Sequence, residues 1–214
     1  MIRKTALAFA LCSLAACGPS VSLRVSRKSV QELPVEERLD LLDAENDLFV
    51  AIDKRDDAAQ AVDDAKGLCH RSASRLSVAV ADLDRAEQAK GADDVSIARI
   101  AVRAAKLRRR YQELASELAE GSLEVTDAEL LVARARFEKA KAEAVRRAKV
   151  KGSSEIVVAQ FEEQLARLKR RATAIEKSLG AVQARADAAR KAWLEVSQKL
   201  SDLTGGAKGS PWVQ

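Results

Sequence analysis

An all-α fold, an elongated antiparallel bundle of three coiled-coil helices, is what this 214-residue sequence predicts. Three observations lead there. Hydrophobic residues make up 47% of the chain and aromatics only 3%, so the apolar content is mainly Ala, Leu and Val, as in long helices. The three prolines, Pro19, Pro34 and Pro211, fall outside residues 35–210, so nothing in that interval breaks a helix. Apolar residues recur at every seventh position over long stretches, the period of a coiled-coil seam.

The first helix is expected over 35–90. Pro34 suits a helix start, and Glu36 and Glu37 stand in the opening turn, where the helix dipole favours negative charge. Leu41, Leu48, Val62, Cys69, Leu76 and Leu83 recur by sevens, interrupted by Arg55. Beside them runs a stripe of small residues, Ala44, Ala51, Ala58, Ala65, Ser72, Ala79 and Ala86, which lets a neighbouring helix approach closely.

The second helix is expected over 94–150. Ile97, Ala104, Tyr111, Leu118, Val125 and Val132 occupy its a positions; Ile100, Leu107, Leu114, Gly121, Ala128, Ala135 and Ala142 occupy d. After Gly121 a second stripe, Leu123, Leu130, Phe137 and Ala144, lies on nearly the opposite face. Either this helix meets two neighbours, or it breaks at Gly121-Ser122 and four helices form.

The third helix, 154–203, has the clearest pattern. Val158, Leu165, Ala172, Leu179, Ala186, Trp193 and Leu200 are at a, with Phe161, Leu168, Ile175, Val182, Ala189, Val196 and Leu203 at d; none of these positions is polar. The segments Lys90-Gly91-Ala92-Asp93 and Lys151-Gly152-Ser153-Ser154 resemble each other as helix end, glycine and cap, and so read as two equivalent turns. Short turns and three helices of roughly 75–85 Å at 1.5 Å per residue give an up-down-up arrangement. It places Leu76, Tyr111 and Trp193 at one height and Gly67, Gly121 and Gly180 at another, the latter a level of tight packing or of a shared bend.

Charge is shared unevenly. The first helix carries 8 basic and 14 acidic residues, the second 13 and 9, the third 9 and 7, so the first complements both others. Arg146, Arg147, Lys149 and Lys151 cluster at the second turn, within reach of anionic head groups if that end meets a membrane.

Catalytic patterns are missing. His70 is the sole histidine, which excludes any site built from two imidazoles, and its neighbour Cys69 points about 100° away on a helix. Cys69 occupies an apolar heptad position, where a buried, inert thiol is expected. Asp56-Asp57 and Asp63-Asp64 share one helix side without the oxygen cage that calcium requires, so they read as a solvated face. A noncatalytic protein with neither cofactor nor metal is expected.

The N-terminus bears on location. Arg3 and Lys4 precede a short apolar run from Ala6 to Leu14, and Leu14-Ala15-Ala16-Cys17 follows the order branched aliphatic, small, small, cysteine. Over residues 1–17 alone the chain resembles bacterial lipoproteins. That resemblance implies recognition through Leu14, Ala15 and Ala16, cleavage before Cys17, a diacylglycerol on the Cys17 thiol and an acyl chain on its new amino group. Gly18, where the family uses Asp for inner-membrane retention, implies the outer membrane of a two-membrane bacterium.

On this reading 1–16 is a cleaved signal, 17–33 a lipidated flexible tether of at most about 50–60 Å, 34–203 the bundle and 204–214 a disordered tail ending in Trp212. Val21, Leu23 and Val25 alternate as a strand would, but no other strand pattern occurs. Removing Arg3 and Lys4 lowers the formal charge from +5 to +3, which argues against nucleic acid as partner. Cys12 leaves with the signal and Cys17 takes lipid, so Cys69 has no partner for an internal disulfide. The expected function is an envelope scaffold, spacer or docking element, touching membrane lipid through Cys17 and partner proteins through helix faces or the tail. The alternative is a periplasmic carrier or chaperone that opens the bundle for apolar cargo.

Overall fold

The structure, a computed structural model, describes residues 20–89 and 91–208. The Leu14-Ala15-Ala16-Cys17 site, Lys90 and Trp212 lie outside the described residues. Among the described residues the regular structure is wholly helical: α1 (Arg27–Gln31), α2 (Val35–Leu39), α3 (Leu42–Ala89), α4 (Ala92–Arg147), a 3-10 turn (Ser153–Glu155) and α5 (Val158–Leu203).

α4 runs through Gly121-Ser122 without a break, so of the two alternatives the one with a break there does not hold. Its two opposed stripes instead serve two neighbours. Leu130 and Ala133 pack with Ala51, Leu48 and Ile52 of α3, while Ala135, Leu131 and Val132 pack with Leu168 and Leu165 of α5. At 1.5 Å per residue the 56 residues of α4 span about 84 Å.

Both neighbours run antiparallel to α4. On the α3 side, Asp47 pairs with Arg136, Arg55 with Asp127, Lys66 with Glu120 and Glu87 with Arg99, so the partner's number falls as α3 advances. On the α5 side, Lys139 pairs with Glu162 and Glu117 with Arg185. Exposed pairs of this kind are screened by solvent and add little stability, so their main effect is to set register.

α3 and α5 share no extended contact with each other. The three long helices therefore form an open row with α4 in the middle, not a closed bundle. The sequence supplies the reason: the stripes of α4 face opposite ways, and α3 buries mainly small residues, Ala51, Ala65 and Ser72, which leaves it no second apolar face for α5.

The ends differ more from expectation. A helix does begin at Val35, with Glu36 and Glu37 in its first turn, but it is not the long one. α2 stops after one turn, and the backbone swings Leu41 inward, 5% exposed, before α3 starts at Leu42. The two turns are not equivalent: the first reaches α4 directly after Gly91, whereas the second is a longer connection with Lys149 and Gly152 at positive φ. Hence α5 starts at Val158 instead of residue 154.

Where a free tether was expected, residues 20–33 lie against the row. Val21 packs with Ala135 and Leu168; Val25, Leu33 and Leu41 join Ala142, Ala144, Val145, Val150 and Phe161 in the largest core cluster. Residues 204–208 are ordered too: Gly206 N donates to Ser201 O, and Thr204 Oγ1 accepts from Lys208 N.

Candidate functional site

The open row leaves a groove, floored by α4 and walled by α3 and α5. Two cavities of about 490 Å³ each lie along it. Asp47, Val50, Ala51 and Lys54 form the α3 wall of the first; Arg75, Val78, Ala79 and Asp82 form that of the second. Each residue of the second set stands 28 positions after its counterpart, which is four heptads or about 42 Å of helix.

The floor repeats in the same way. Glu129, Val132, Ala133 and Arg136 under the first cavity correspond at the same spacing to Ala101, Ala104, Ala105 and Arg108 under the second. On α5, Lys169 and Ala172 correspond to Ser197 and Leu200. Equal heptad positions on the same three helices thus line both cavities. On its rim Val50 and Val78 are 53% and 59% exposed, apolar side chains that no described residue covers.

Chemistry separates the two ends. In the first cavity Arg136 Nη1 lies 2.6 Å from Asp47 Oδ2. At the second, the position equivalent to Asp47 is Arg75. Arg108 makes no ion pair with any described residue; its guanidinium lies over the Trp193 ring, 5.2 Å from the centroid. Trp193 in turn stacks on Tyr111, with centroids 5.7 Å apart and planes 10° from parallel. Burial first, and then the positive charges of Arg75 and Arg71, hold the Arg108 guanidinium below its ordinary pKa. Lys208 lines the same cavity, and its one carboxylate, Asp82, pairs with Arg85.

The N-terminal segment occupies the other side of the row. Gln164 Oε1 accepts from Ser22 N at 3.0 Å, Ser22 Oγ at 2.8 Å and Leu23 N at 3.2 Å, and Glu138 Oε2 accepts from Val25 N at 2.8 Å. One buried glutamine thus fixes two residues of chain, although its own Nε2 has no partner. Lower down, Arg147 joins α2 to α4 through Glu37 and Asp40. Hydrogen bonds from Arg147 hold the Glu37 carboxyl below its ordinary pKa.

Of the basic cluster expected at the second turn, Arg147 is engaged as above and Arg146 Nη1 donates to Ser153 O. Lys149 and Lys151 are exposed. Cys69 is half-buried and free, and His70 is exposed. Tyr111 and Trp193 do meet at one height. Of the three glycines expected at a shared level, only Gly121 marks a close approach. Among the described residues no three His, Cys, Asp or Glu gather where a metal ion could be held, and no helix is long and apolar enough to cross a membrane.

Reading the sequence for heptads missed Gln164, Arg108, Val50 and Val78. The two valines carried a signal: they stand 28 residues apart at equivalent positions outside the seam. No protein family, curated protein or solved structure matches this chain.

Proposed function

We propose that this protein is a noncatalytic docking scaffold of the bacterial cell envelope, attached to the outer membrane by lipid on Cys17. The observation that carries the docking half of the reading is the open row: three long antiparallel helices of coiled-coil pattern leave two cavities over α4 between α3 and α5, rimmed by the exposed Val50 and Val78. The anchoring half rests on Leu14-Ala15-Ala16-Cys17.

Docking of residues 20–33 supports a particular posture. Val21 sits beside Ala135, twelve residues and about 18 Å short of the α4 end. Cys17 is four residues from Val21 and reaches at most about 14 Å. A rod standing upright on its second turn would need a longer tether, so the scaffold tilts or lies on the side that carries the N-terminal segment. Arg24, Arg27 and Lys28 are exposed in that segment, and Arg171 lines a cavity beside Leu131 on the same side. Each contributes about 1 kcal/mol when close to an anionic surface.

The test is cell fractionation of wild type and Cys17→Ala, combined with crosslinking from position 50. Wild type is expected in the outer membrane and the variant free in the periplasm, with the position-50 adducts changed. Unaltered fractionation of Cys17→Ala would remove the anchoring half. The two cavities also favour a second reading, a carrier of apolar cargo, which uptake of an apolar dye displaced by lipid would support.

A further inference from the structure

We propose that the groove between α3 and α5 seats a helix supplied by a protein partner, and that this helix brings carboxylates to Arg108 at the Trp193 end. This deepens the docking reading and rests on it, but not on the lipid anchor.

The occupant's form follows from the repeat. Ten lining positions recur at a spacing of 28 residues, on all three helices, across about 42 Å. A small molecule would fill one cavity and make no use of that register. A heptad-patterned helix lying between α3 and α5 meets equivalent positions throughout, burying Val50 and Val78 as it completes a four-helix arrangement.

The occupant's charge follows from a difference within the repeat. Arg136 and Arg108 are equivalent, as are Ala133 and Ala105, Ala51 and Ala79, and Val50 and Val78. The first arginine has its carboxylate within the chain, Asp47. At the second the equivalent position offers no carboxylate, Arg108 makes no ion pair with any described residue, and Lys208 lines the same cavity. The groove therefore holds an ion-paired arginine at one end and, at the other, an arginine that no described carboxylate pairs. An incoming helix with acidic residues at one end fits in one position, and the carboxylate it brings would meet a partly desolvated guanidinium held by Trp193.

The test uses the full-length chain carrying Cys17→Ser and two synthetic peptides of about 28 residues with Leu at a and d. One carries a terminal block of Glu, the other the same block as Lys. Titration calorimetry is expected to give the Glu peptide an affinity at least about tenfold higher. Arg108→Gln should bring the two within about twofold. Val50→Glu combined with Val78→Glu, both on the exposed rim and therefore harmless to the fold by circular dichroism, should abolish binding of either peptide. Equal affinities for the two peptides, or binding that survives the double valine variant, would overturn the proposal. So would sedimentation showing that the peptide-free chain is a dimer that Val78→Glu dissociates, since a second copy would then be the occupant. Because Cys17→Ser removes lipid attachment, none of these outcomes depends on the anchor, and a failed fractionation test would leave them standing.

Discussion

Gly121 owes its place on α4 to Leu179. A Cβ built there would stand 2.5 Å from Leu179 Cδ1, so the helices meet closely at this point, whereas nothing lies within 4 Å of a Cβ at Gly180. Glycine costs a helix about 1 kcal/mol against alanine. Gly180→Ala should therefore stabilise the protein by up to about 1 kcal/mol, while Gly121→Ala should gain less because the Leu179 side chain has to turn away. Urea titration of both variants checks this, and equal gains would show that Leu179 imposes no constraint. Val145 is the opposite case. Fully buried among Leu33, Leu41 and Phe161, it should cost about 2 kcal/mol when truncated to alanine. Heptad spacing does not single out Val145, since it lies outside both stripes of α4. It is buried by residues 25–41, which come from far away in the chain.

Among the elements, the N-terminal segment is held most locally and is the easiest to release. Gln164→Ala removes the acceptor for Ser22 and Leu23, so amide exchange over residues 20–26 should accelerate while helix content stays constant. Acid should loosen the next stretch. Glu37 has a folded-state pKa below its unfolded value, so the ion pair with Arg147 stabilises fully above the unfolded value and is lost as the pH falls through the folded one. Protection factors at α2, with exchange corrected for the intrinsic pH dependence of the amides, should accordingly fall below about pH 4, and that fall should be absent in Arg147→Ala. The alternation of Val21, Leu23 and Val25 was legible, and Val21 and Val25 do point inward. What they pack against was not, because an extended segment without a ladder leaves no pattern of its own in the α4 and α5 residues it covers. α4 was legible for the converse reason: its two stripes each carry the period of a helix neighbour.

At the scale of the molecule, posture and open face belong together. If the segment's side lies toward the membrane, a cysteine at position 171 should react more slowly with an impermeant thiol reagent than one at position 50, in a Cys69→Ser background on intact outer membranes. Equal rates would contradict that posture. The seams, helix lengths and antiparallel order were readable in the sequence because heptads encode pairwise contact. Closure was not, since a seam says that a helix has a neighbour without saying whether two neighbours also touch each other. That distinction reaches into how the chain unfolds. With α3 and α5 both resting on α4 and sharing no extended contact, the free energies add along the row, helix by adjacent helix, as in a repeat protein. The two hairpins share one helix, so neither must melt with the other. Either outer helix can peel away while the remaining pair stays folded.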